Sequence, residues 1–210
     1  MVDGPGHHGT AQSVSMHPGI EFAIARRCLD PIKALGFDKY FIVRGTEAHV
    51  GKSGGNDNAV GEWLHAEKDP DTGRASWWHL RMEIQGLRLS FAHHGKFGML
   101  PWTKAAAINR YAFQVWSEYA EIDARSGGPP TWPHIAVRSH FHQLAMSDPT
   151  ASPTQVISTP GWQFLNSFVH RIAADALADM GGVVLVIRDG KYTVHPYQAR
   201  PARGATWRAA

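Results

Sequence analysis

Four short segments of this sequence gather side chains that bind metal ions or transfer protons. They are Ser139 to His142 (SHFH), His93-His94-Gly95 (HHG), Arg44 to His49 (RGTEAH) and Asp3 to His8 (DGPGHH). Two histidines separated by one residue on an extended segment or tight loop can direct their imidazoles to neighbouring ions. Because imidazoles and carboxylates suit transition metals, the four segments together favour a metal site over scattered histidines.

Each segment alone also has an ordinary interpretation. SHFH and HHG could be surface histidines, RGTEAH a hydrogen-bonded surface loop, and DGPGHH a frayed or tag-like terminus. Their joint placement favours the metal site, because each lies where a strand should end. Loops after strand ends are where layered α/β folds bind ligands.

The elements that position these segments are predicted from hydrophobic spacing and turn residues. A helix starts at Pro18, buries Cys28, and is stopped or kinked by Pro31. A second helix spans Asn56 to Glu67. A third is capped by Thr103 and should pack on a sheet through one face, which consists of Ile108, Ala112, Val115, Tyr119 and Ile122.

The strands are predicted from β-branched and aromatic runs. Lys39 to Val43 (KYFIV) reads as a buried strand that leads into RGTEAH. Two hairpins are expected around the turns Gln85-Gly86 and Asp189-Gly190. The first hairpin pairs Trp77 to Ile84 with Leu87 to Ala92, and the second pairs Val183 to Ile187 with Tyr192 to His195. One more short strand is expected at Ile135 to Val137. This mixed order predicts a single domain over residues 1–210 with a layered α/β sandwich fold.

Composition narrows the class of protein. With 210 residues and 43% hydrophobic content the chain can bury one sizeable core. No apolar run reaches the roughly 20 residues of a membrane span, so a cytoplasmic protein is expected. One cysteine excludes an intramolecular disulfide. A net charge of +3 with scattered Lys and Arg does not imply sequence-specific nucleic-acid binding.

In the order of these segments the sequence resembles calcineurin-like metallophosphoesterases of bacterial or phage type. That family presents DxH, GDxxD, GNHD or GNHE, a lone histidine after a strand, and GHxH. Here MVDG resembles the end of GDxxDG, RGTEAH the GNHE segment, FAHHG the lone histidine, and RSHFH the GHxH segment. The later STPGWQF and GGVVLVIRDGK are similar to the family's tail. The resemblance implies an αββα four-layer fold that lacks its first strands.

The resemblance also implies phosphoester hydrolysis by a water that divalent ions activate. His93, with His94 as the alternate, and His140 would bind one ion and His142 the other. Thr46 or Glu47 would replace the family's asparagine ligand. The ions would be manganese, iron, zinc or nickel.

Three further residues receive roles from the resemblance. His49 would protonate the leaving alkoxide, and Asp3 would orient the His49 imidazole. Arg44 would bind a phosphate oxygen, with a surface ion pair as the alternative. The substrate would be a phosphomonoester or phosphodiester.

The departures from the family pattern lower the expected activity. DxH and the bridging aspartate of GDxxD have no counterpart, because the MVDG match begins at Met1. We therefore expect an N-terminally truncated chain with weak or no phosphodiesterase activity, at most one well-bound ion, and a tendency to form homo-oligomers. The alternative is a non-catalytic metal-binding or interaction module derived from the same fold.

Overall fold

The structure is a computed structural model that describes residues 17–46, 55–95, 103–162 and 179–199. Within these ranges there are three helices and seven strands. The helices are α1 (Pro18–Lys33), α2 (Gly55–Leu64) and α3 (Lys104–Ser126). The strands are β1 (His79–Ile84), β2 (Leu87–Ala92), β3 (Ile135–Arg138), β4 (Ala145–Met146), β5 (Gln155–Ser158), β6 (Met180–Arg188) and β7 (Lys191–Ala199).

The central sheet has five strands in the order β1-β2-β3-β5-β4. Its three middle strands, β2, β3 and β5, are parallel, while β1 and β4 are antiparallel strands at the two edges. A second sheet consists of β6 paired with β7. The predicted mixed α/β class is therefore confirmed.

Helix α3 covers one face of the central sheet. Its Ile108, Ala112 and Val115 are buried in one cluster with Ala136 of β3 and Val156 of β5. This packing confirms most of the predicted helix face. The prediction for Ile122 was wrong, because that side chain is 62% exposed. The apolar contact ends near Tyr119, so the last turns of α3 do not rest on the sheet.

The β6-β7 hairpin covers the opposite face. Every second side chain of β6 packs on a buried cluster of the central sheet, and these side chains are Val183, Leu185 and Ile187. The buried cluster consists of Leu87, Leu89, Ile135 and Ile157. The hairpin turns at Asp189 and Gly190, with φ of 51° and 70°. These values fit the turn that Asp-Gly favours, so the predicted hairpin is confirmed, and it is longer than expected.

The β1-β2 hairpin is also confirmed. It turns at Gln85 (φ 49°) and Gly86 (φ 80°), with Ile84 opposite Leu87. The first strand begins at His79 rather than at Trp77. Strand β2 then ends at Ala92 and delivers the two histidines that follow.

The KYFIV segment was wrongly predicted to be a buried strand. It makes single backbone bonds, from Glu67 N to the Tyr40 carbonyl and from Trp77 N to the Ile42 carbonyl, and one isolated bridge between Val43 and Trp77. Phe41 is 37% exposed. An extended apolar segment without a continuous partner forms no ladder, and this explains the difference.

Helix α1 also departs from the prediction in two respects. Pro31 lies inside the helix, in its last turn, and does not stop it. Cys28 is exposed and not buried. Among the described helices, none has both the length and the apolarity needed to cross a bilayer.

Candidate metal site at the carboxyl edge of the sheet

The parallel strands bring three loops to one edge of the sheet. Ala92 of β2 lies beside Arg138 of β3, and Arg138 lies beside Ser158 of β5. The residues that follow these strand ends therefore emerge together. The carboxyl edge of parallel strands is the usual ligand site of α/β sheets.

Three histidines meet at this edge. One nitrogen from each of His93, His94 and His140 can be chosen so that all three atoms lie within 4.8 Å of one another. Nε2 of His93 is 3.0 Å from Nδ1 of His140. His93 is 6% exposed, His140 is partly buried and His94 is exposed. We call these three residues the histidine trio.

Hydrogen bonds through Ser139 hold the trio's loops in place. The Ser139 amide donates to the His93 carbonyl at 3.0 Å, which ties the two loops together. The Ser139 hydroxyl lies 2.9 Å from that of Thr159, which follows β5. His140 has a left-handed backbone with φ 73°. A non-glycine residue in this conformation is strained and is retained only where its surroundings impose it.

His142, the second histidine of SHFH, lies outside the trio. It also has a left-handed backbone, with φ 50°. Its ring lies against Gly161, where an added Cβ would come 2.8 Å from the ring's Cγ. Among the described residues, the group whose nitrogens could bind one ion consists of His93, His94 and His140, and His142 does not belong to it.

Arg44 is buried, and the structure does not support the alternative of a surface ion pair. It is 4% exposed, and its Nη2 donates to the Ser76 hydroxyl at 3.1 Å. Its guanidinium lies 4.5 Å from the ring centre of Trp78, which is 50% exposed. Within the described residues, the buried Nε of Arg44 and the hydroxyl of Thr46 have no hydrogen-bond partner.

Arg44 lies near the same edge of the sheet as the trio. The Arg44 amide donates to the Trp77 carbonyl at 2.8 Å. Two residues later His79 pairs with Ala92, the residue before His93. The other predicted residues, Asp3, Glu47 and His49, lie outside the described residues.

A hydrogen-bonded network beneath the trio escaped the sequence analysis. Arg138, 5% exposed, donates to the Ser90 carbonyl at 3.0 Å, to the Ser90 hydroxyl at 3.2 Å and to the Tyr111 hydroxyl at 3.3 Å. Nε2 of His79 lies 2.8 Å from the same Ser90 hydroxyl. Burial, followed by the charges of Arg81 and Arg138, lowers the pKa of His79 to about 4. His79 is therefore neutral near pH 7.

No family model matches the chain, and no curated protein matches it. Among solved structures, the chain is similar to zinc-complexed Vps29 from Entamoeba histolytica, with 12% identity, a TM-score of 0.42 and coverage of 94% of this chain and 96% of that one. A hypothetical protein from Thermus thermophilus gives 13% identity, a TM-score of 0.35, and 87% and 95% coverage. A Thermotoga maritima protein gives 10% identity and a TM-score of 0.26, and the chain spans 54% of its length.

Proposed function

We propose that this protein is a metal-dependent phosphoester hydrolase that binds a divalent ion at the histidine trio. The observation that carries the proposal is the meeting of three imidazole nitrogens within 4.8 Å at the carboxyl edge of the sheet. Histidine is the commonest metal ligand, and three protein ligands with an open fourth position are typical of catalytic rather than closed structural sites. The fourth position would remain available to water or substrate.

The trio fits a tetrahedral ion with small adjustments. Metal to imidazole bonds of about 2.0–2.1 Å place the nitrogens of neighbouring ligands roughly 3.3–3.5 Å apart. The 3.0 Å separation between His93 and His140 would widen slightly, and the other separations, each at most 4.8 Å, would settle in the same range. Imidazole donors accept manganese, iron, zinc and nickel, so the donor set does not select among them.

The chain's own residues would hold the reactants. A bound ion would supply an activated water and polarise the phosphoryl oxygens. Arg44 would donate its available Nε hydrogen to a phosphate oxygen. His49 would protonate the leaving alkoxide and Asp3 would orient the His49 imidazole, as the family resemblance implies. The resemblance assigns His142 with Thr46 or Glu47 to a second ion, for which we expect no useful affinity in this chain.

A second candidate function is a non-catalytic metal-binding or interaction module. It is favoured by the chemistry of the trio, because within the described part of the chain the group contains imidazoles and no carboxylate. Neutral imidazoles do not offset the charge of two adjacent dications. Such a site would hold one ion without the second that the family's chemistry uses.

Metal titration combined with hydrolysis of bis(p-nitrophenyl) phosphate separates the two candidates. We expect one ion per chain by calorimetry and slow hydrolysis that depends on added manganese. Both should be lost in His140→Ala and kept in His195→Ala, which changes an exposed histidine of β7. Binding without any hydrolysis would support the module. Equal metal binding by the two variants would refute the site.

A further inference from the structure

A cavity separate from the histidine trio lies between α1 and α2. Its volume is about 410 Å³, within the range of small-molecule sites. Apolar side chains of both helices and of the preceding loop form most of its wall, and they include Phe22, Ala25, Leu29, Ile42 and Val60. The proposed hydrolase function does not use this cavity.

A carboxylate with an unsatisfied oxygen lines the cavity. Glu21 is 1% exposed, and its Oε1 has no hydrogen-bond partner. Its Oε2 accepts a weak bond of 3.4 Å from Nδ2 of Asn56. None of the ion pairs in the described part of the chain involves Glu21. A buried carboxylate oxygen without a donor is costly, and a ligand that supplies the donor would remove this cost.

A second carboxylate lines the cavity. Asp57 lines the cavity and accepts a 2.7 Å hydrogen bond from the Gly45 amide through Oδ2. Among the described residues that line the cavity there are therefore two carboxyl side chains, Glu21 and Asp57, and no Lys or Arg. Charge complementarity therefore favours a cationic donor over a neutral one.

The wall also includes an aromatic ring held in a fixed position. Trp162 lines the cavity and is 54% exposed, so it lies toward the mouth. Its Nε1 donates to the Gly181 carbonyl at 2.6 Å, which restrains the ring. The face of an indole attracts cations and packs well on alkyl chains. A ligand with an apolar stem and a positively charged head therefore matches the apolar side chains and the carboxylates of this cavity.

We propose that this cavity binds an organic ammonium cation. The apolar stem lies against Phe22, Leu29 and Val60, and the ammonium group donates to Oε1 of Glu21. Desolvation of the head group is offset by the carboxylate it meets. A carboxylate ligand of the same size would be repelled.

The test uses Cys28, the single cysteine of the chain, as a reporter. It lines the cavity and is exposed, so a bound ligand shields it. We expect hexylammonium to slow alkylation of Cys28 by iodoacetamide at pH 7. Hexanol should protect weakly and hexanoate should not protect. Equal protection by hexylammonium and hexanoate would overturn the proposal.

Two variants and one control locate the ligand. Glu21→Gln keeps the side chain's size and should raise the concentration of hexylammonium needed for protection by about tenfold. Ala25→Phe fills the cavity and should abolish protection. Glu62→Gln changes an exposed carboxylate of α2 that pairs with Lys68 at 3.2 Å, and it should change nothing. Unaltered protection in Glu21→Gln would overturn the assignment.

Alkylation of Cys28 requires neither a bound metal nor hydrolysis. Protection should therefore be the same in His140→Ala as in the wild type. Loss of hydrolysis without loss of protection would show that the two sites are independent.

Discussion

The left-handed backbone of His140 links metal binding to strain. Its φ of 73° suits glycine, and a side chain there costs about 1 kcal/mol. His140→Gly and His140→Ala should lose metal affinity equally, because both remove the imidazole. The glycine variant should be about 1 kcal/mol more stable than the alanine variant without metal, since it alone relieves the backbone.

Chemical denaturation of both metal-free variants would check this difference. Equal stabilities would show that the loop relaxes in the alanine variant and that His140 is not held under strain.

His79 should make stability depend on pH. The folded chain keeps its pKa near 4, because of burial and the charges of Arg81 and Arg138, whereas the unfolded value is 6.5. A lowered histidine pKa means that the unfolded state binds the proton first. The contribution of His79 is therefore complete above about pH 6.5 and is lost as pH falls toward 4.

The variant His79→Gln tests this dependence, because glutamine can still bond to Ser90 and does not titrate. Thermal unfolding at pH 7.5, 6.0, 5.0 and 4.5 should show the wild type losing more stability than the variant. Parallel pH profiles would contradict the assignment.

At the scale of elements, Asp123 fastens the end of α3 to the loop that leads to β3. Its two carboxylate oxygens accept bonds from the Thr131 amide at 2.8 Å and the Thr131 hydroxyl at 2.6 Å. These bonds hold the pKa of Asp123 below its usual value. Asp123→Ala should lower the Tm by about 3 °C.

Glu121→Ala is the matched control, because Glu121 is exposed on the same helix and pairs only with Arg125 among the described residues. Its Tm should stay close to that of the wild type. Equal shifts in the two variants would show that Asp123 does not fasten the loop.

The elements that could be predicted from the sequence are those whose own residues show a recognisable turn or spacing pattern. Both hairpins have turn residues, Gln85-Gly86 and Asp189-Gly190, whose left-handed backbones fix the pairing of adjacent strands. Strand β5 was missed because its four residues, Gln155–Ser158, include two polar side chains. Its burial depends on β3 and β4 lying on either side, which no local pattern reveals.

At the scale of the whole molecule, the order of strands decides which histidines meet. The sequence placed His93 and His140 after strands, and the parallel pairing of β2 with β3 brings those strand ends together. The position of His142 against Gly161 depends on a loop after β5, so spacing alone could not give it. The burial of Arg44 and the network around Arg138 depend likewise on contacts between distant segments.

The most direct test of the central claim is X-ray absorption spectroscopy of the protein loaded with one equivalent of zinc. We predict three imidazole nitrogens at about 2.0–2.1 Å and one further light ligand. The imidazole count should fall to two in His93→Ala and in His140→Ala, and should stay at three in His195→Ala. A wild-type spectrum with fewer than two imidazoles, or one unchanged in His140→Ala, would contradict a metal centre at the carboxyl edge of the sheet.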